Sequence, residues 1–187
     1  LRPLLPLMTV AMLAAAPAGA HAGLTVGVSD QRTEAFANPF YPAANLTVAR
    51  YIVPYDVTSD PAQTVKLEAW LAGAEQTGQQ VLMSFEHSRK DKVRAGKLPT
   101  PENYRKAITK FKAKYGARVD DISPWNEVNR KFDPLRGEGQ PTWNRPDIVA
   151  RYYGVAMRVF PKSKIVALDV LYGVKTLEPN RAVRLRN

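Results

Sequence analysis

Residues 119–129 read Val119-Asp120-Asp121-Ile122-Ser123-Pro124-Trp125-Asn126-Glu127-Val128-Asn129. The run from Val119 to Trp125 is short, apolar and extended, and it delivers Asn126 and Glu127 at its end. A brief apolar run closed by polar residues has the pattern of a buried strand. Before it, Tyr104, Ala107, Ile108, Phe111 and Tyr115 recur at helical spacing between the start signal Thr100-Pro101 and the stop Gly116. After it, Ile148, Tyr152, Ala156 and Val159 define a second such face, entered through residues 144–147 and stopped at Pro161.

The same alternation extends in both directions. Five short β-branched runs, Leu24 to Val28, Leu46 to Val53, Gln80 to Phe85, Val119 to Trp125 and Lys164 to Leu171, predict five strands. Leu67, Trp70, Leu71 and Ala74 add a helix between the second and third, ending near Gly78. Strands alternating with amphipathic helices imply a parallel sheet covered by helices, so the fold class is α/β. A doubly wound nucleotide-binding sheet requires a glycine-rich turn after its first strand, whereas Ser29-Asp30-Gln31-Arg32 stands there and no G-x-G-x-x-G or Walker sequence occurs. Polar residues instead crowd the strand ends, at Asp30, Asp56, Glu86-His87, Asn126-Glu127 and Asp169. That distribution fits a partial (β/α)8 TIM barrel, whose active sites lie at those ends.

At Trp125-Asn126-Glu127 the chain resembles the clan A glycoside hydrolases, retaining (β/α)8-barrel enzymes whose fourth strand ends in Asn-Glu. The resemblance implies that Glu127 is the general acid/base and that Asn126 contacts the 2-hydroxyl of the sugar. A glutamate suits the role because it protonates the leaving oxygen and then deprotonates water. Without the resemblance, Asn126-Glu127 also reads as an ordinary polar strand end. The resemblance extends to Arg50, in Leu46-Thr47-Val48-Ala49-Arg50-Tyr51, since these barrels carry an arginine on the second strand that supports the carboxylates; an arginine on an exposed edge is the other reading. Glu86 and His87, ending the third strand, are expected to line the cleft, with a structural histidine as the alternative. Trp125 is expected to stack on a sugar ring, with Trp143, Tyr55 and Tyr172 as further aromatic candidates, while Trp70 belongs to the core. The family's nucleophile is a glutamate ending a seventh strand, and neither Glu138 nor Glu178 follows a strand run, so no nucleophile is assigned.

Composition bounds the rest. The chain has 187 residues, 45% hydrophobic and 24% charged, with a formal charge of +10 and no cysteine. Disulfides, thiolate metal sites and a cysteine nucleophile are therefore excluded. One histidine beyond residue 22 is too few for the usual zinc sets, and no metal or other cofactor is expected. Residues 1–22, with Arg2, an apolar stretch and Ala20-His21-Ala22, read as a secretory signal peptide and place the protein outside the cell or in the envelope. The stretch is shorter than the ~20 residues of a membrane span. Residues 23–187 are then an incomplete barrel domain, since a whole one takes about 250 residues. Turnover by this length alone is not expected. The partner implied is an oligo- or polysaccharide. Eleven Lys/Arg between Arg89 and Arg118 against Asp91 and Glu102 admit an anionic polymer as well, although this charge also suits a solvated helix face. No nucleic-acid motif accompanies it. A non-catalytic glycan- or anion-binding envelope protein is the alternative function.

Overall fold

The structure is a computed structural model that describes residues 25–167, 169 and 170. In chain order the elements are β1 Gly27–Val28, α1 Phe40–Ala43, β2 Val48–Pro54, α2 Pro61–Gln76, β3 Gln80–Glu86, α3 Lys92–Ala95, α4 Pro101–Tyr115, β4 Asp121–Ser123, α5 Pro146–Val159 and β5 Lys164–Ile165. The five strands form one sheet in the order β1-β2-β3-β4-β5, and every neighbouring pair is parallel. The α/β class is thus present, with strands and helices alternating from β2 onward.

α2 and α4 start where the first turn finds a side-chain partner. Asp60 Oδ1 accepts the Gln63 N–H at 3.2 Å and Thr100 Oγ1 the Asn103 N–H at 3.1 Å, with Pro61 and Pro101 at the first helical position. Along β2, Ala49, Tyr51 and Val53 point to one face of the sheet. The register brings them beside Val81, Met83 and Phe85 of β3, and Met83 beside Ile122 of β4. These residues bury against Leu67, Trp70, Leu71 and Ala74 of α2, Tyr104, Ile108, Phe111 and Tyr115 of α4, and Tyr152, Val155 and Ala156 of α5. Aromatic rings make up much of this layer. Tyr104 and Tyr152 lie 4.4 Å apart between centroids, and Tyr104 donates to the Pro124 carbonyl at 2.6 Å.

The outer strands are shorter than the sequence predicts. The β1 pairing covers Gly27–Val28 and β5 covers Lys164–Ile165, while the predicted limits Leu24 and Leu171 lie outside the described residues. β4 ends at Ser123 because Pro124 has no N–H to give the ladder. The short helices α1 and α3 fall where no helical period was legible. The signal peptide assigned to residues 1–22, and Tyr172 and Glu178, lie outside the described residues. Among the described residues, no helix is long and apolar enough to cross a membrane.

Candidate active site

The face of the sheet opposite the helices carries the polar residues. Arg50 stands opposite Leu82 in the register, so Ser84, two residues further along β3, shares its face. The Arg50 guanidinium donates from Nη1 to Ser29 Oγ at 3.0 Å, and from Nη2 to Ser84 Oγ at 3.3 Å and Asn126 Oδ1 at 2.7 Å. It is also hydrogen-bonded and ion-paired to Asp169, whose Oδ2 accepts from Ser84 Oγ at 3.1 Å. Side chains from all five strands or the loops just after them therefore meet at one cation. A guanidinium this enclosed, with Arg50 at 21% side-chain exposure, requires such acceptors.

Asn126 is 4% exposed and is held twice, through Oδ1 by Arg50 and through its N–H, which donates to the Phe85 carbonyl at 2.6 Å. Glu127 follows it with φ at 43°, a left-handed conformation uncommon for a residue with a side chain. Its carboxylate is 25% exposed, and Oε2 accepts from Arg130 Nη1 at 3.4 Å. Arg130 also stands 3.8 Å from Glu138.

Trp125 is a correction. It is 1% exposed, its ring packs against Tyr152 at 5.0 Å between centroids, and Tyr55 and Tyr104 pack around it. Its indole Nε1 donates to Gln140 Oε1 at 2.9 Å. With no free face, the ring cannot stack on a sugar, and it belongs to the core. The exposed tryptophan is Trp143, at 43%.

Glu86 does reach the polar face, but it is 7% exposed and engaged by Arg89 Nε at 2.5 Å and Gln140 Nε2 at 3.4 Å. It closes a chain running Trp125, Gln140, Glu86, Arg89. His87 turns away into a smaller cleft of about 270 Å3 with Arg89, Lys92 and Gly137, its Nδ1 at 2.9 Å from the Ser88 carbonyl oxygen. Of the residues singled out from sequence, Arg50 and Asn126 are thus joined directly, Glu127 is their neighbour along the chain, and His87 stands apart. Sequence reasoning missed Ser29, Ser84 and Gln140. Ser84 was legible in principle, as a polar residue within an apolar strand two places from Leu82. Among the described residues no three His, Cys, Asp or Glu side chains are gathered as a metal site.

Sheet and site together define an α/β protein with a parallel sheet whose polar face gathers on an arginine. No protein-family model matches this chain, and no curated protein does.

Proposed function

We propose that this protein is a glycoside hydrolase of the clan A, (β/α)8-barrel kind, acting by retention, with Glu127 as general acid/base. The observation that carries the proposal is the Arg50 cluster, in which a second-strand arginine grips the asparagine immediately before the glutamate. The sheet order adds to it. Strand order rises without reversal, and right-handed crossovers then place successive helices on one face, as in a barrel, whereas a doubly wound sheet reverses direction. The left-handed backbone at Glu127 is a third support, since strained residues collect at functional sites.

In this reading Arg50 fixes Asn126, and Asn126 presents its amide to the sugar hydroxyl next to the scissile bond. Glu127 gives its proton to the leaving oxygen, then takes one from the water that resolves the glycosyl intermediate. Arg130 holds the carboxylate between these steps. The nucleophile stays unassigned; in such enzymes it stands about 5 Å from the acid/base. Asp169 serves Arg50 and is not given that role. The protein is further proposed to be exported.

The test is release of aryl alcohol from a panel of aryl glycosides by the protein expressed in its full natural reading frame. Glu127→Gln is expected to slow substrates with poor leaving groups by at least about 100-fold, with less effect on those whose leaving group needs no proton. Wild-type rates in that variant would refute the acid/base role. Glycan binding without any turnover would favour the non-catalytic alternative.

A further inference from the structure

Trp143 and Lys131 sit in the loop that follows β4, the loop that also carries Glu127. Two bridges, Lys131 with Gln140 and Asp133 with Glu138, brace that loop. The Lys131 ammonium stands 5.8 Å from the centroid of the Trp143 ring. Trp143 in turn walls a cleft of about 540 Å3 with Val128, Pro146, Val149 and Tyr153, within the ~300–1,000 Å3 of small-molecule sites. Val128 follows Glu127 directly in the chain. An exposed indole beside a cleft suits the apolar face of a pyranose ring, and here a cation stands over that ring.

The surrounding charge has the same sign. The loops after β3 and β4 hold Arg89, Lys90, Lys92, Arg94, Lys97, Arg130, Lys131, Arg136 and Arg145 against Asp91, Glu127, Asp133 and Glu138. Most of these cations meet a carboxylate: Arg89 meets Glu86, Lys90 Asp56, Arg94 Asp91, Arg136 Asp133 and Arg145 Asp147. Among the described residues Lys92, Lys97 and Lys131 pair with none; Lys92 donates only to the Leu135 carbonyl, at 3.2 Å. A neutral glycan makes no use of this excess. A sugar bearing a carboxylate does, through local pairing and through the field that draws it in.

We propose that the glycan bound at this site is acidic, a uronic acid ring stacking on Trp143 with its carboxylate on Lys131. The inference rests on the glycosidase reading and narrows its substrate. Binding of short oligomers of glucuronate, galacturonate and mannuronate is measured by calorimetry on the 187-residue chain, each against its carboxyl-reduced counterpart. At least one uronate is expected to bind about fivefold or more tighter than its reduced form, the effect of one part-exposed charge pair. Lys131→Met should erase that preference, so that the uronate and its reduced form bind alike. Trp143→Ala should weaken both, and Lys110→Gln, on the outer face of α4, should alter neither. Equal affinity for both forms, or an equal loss in Lys110→Gln, overturns the inference. Hydrolysis of neutral glycosides without uronate binding overturns it while sparing the glycosidase reading, and failure to bind or cleave any glycan sinks both.

Discussion

Arg50→Met removes the cation and keeps most of the side-chain volume, so it isolates what the convergence of side chains from all five strands and their following loops is worth. Asn126 Oδ1, Ser84 Oγ and Ser29 Oγ lose this donor, and the Asp169 carboxylate keeps only the Ser84 hydroxyl. Removing one partner of a fully buried pair costs about 3–5 kcal/mol, and hydrogen bonds to a charged group contribute about 1.5–3 kcal/mol. Arg50 and Asp169 are 21% and 23% exposed, so water re-solvates part of what is left. The lower figure applies, and the expected loss is about 2 kcal/mol. Urea unfolding should show a lower midpoint at unchanged m, and Tm should fall by roughly 4–8 °C for a domain of this size. Arg50→Lys keeps the charge without the planar fork and should recover only part of the loss. The decisive measurement is the double-mutant cycle with Asp169→Asn, for which about 1 kcal/mol of coupling is expected. A cycle that closes to zero, or a single-variant loss below about 0.5 kcal/mol, would refute the view that this arginine organises the site.

Three other outcomes follow from local chemistry. Burial raises the phenol pKa of both Tyr104 and Tyr152 above the usual 10. Stability should therefore hold up to about pH 10 and fall beyond it, as these two phenols ionise there in the unfolded chain and not in the folded one; residue-resolved NMR showing Tyr104 or Tyr152 ionising reversibly near pH 10 in the folded protein would contradict this. The Asp30 carboxyl, hydrogen-bonded by the Arg32 side chain and backbone, is lowered to about 2. Its contribution is complete above 3.8 and lost as pH falls from there toward about 2, so a carboxyl NMR titration should give that low midpoint, and Arg32→Gln should raise it part of the way back, since the backbone N–H of residue 32 still donates. At Gly139, φ is 85° and a Cβ would lie 2.1 Å from the Lys131 carbonyl oxygen. Gly139→Ala should cost about 1–3 kcal/mol and open residues 131–143 to limited proteolysis; a wild-type digestion pattern would count against the close approach.

The sheet was legible because its middle strands are buried on the helix side with a strict period of two. Ala49, Tyr51 and Val53 match Val81, Met83 and Phe85, and no helical spacing accommodates both sets. α2 and α4 were legible through the spacing of four buried residues each. The outer strands were not, because apolar residues such as Val166 continue past the last paired position, Ile165, and composition alone does not reveal where pairing ends. Arg50 was legible as a cation that needed a partner, but the partners lie 21 to 119 residues away. No local pattern names them. Trp125 was misread because its place beside Glu127 suggested the cleft, whereas its ring fills the aromatic layer between α4 and α5.

That misreading bears on how Glu127 is aimed. Ser123 pairs with Ser84, so it belongs to the Arg50 face. Strict alternation from Ser123 would put Pro124 on the helix face, Trp125 back on the Arg50 face and Asn126 among the helices. The opposite holds: Trp125 lies in the aromatic layer and Asn126 on the guanidinium. The parity slips by one residue at Pro124, where the ladder has already lost its donor. A slip of this kind re-aims side chains at the rim of a sheet, much as a bulge does. Trp125 is then fixed by its ring and Gln140, and Asn126 by Arg50 and Phe85, which leaves the backbone little freedom at the next residue. Glu127 takes up the remaining turn with its positive φ. The carboxylate is thus directed less by its own contact, a 3.4 Å bond to Arg130, than by the two residues before it, one locked into the core and the other onto the arginine.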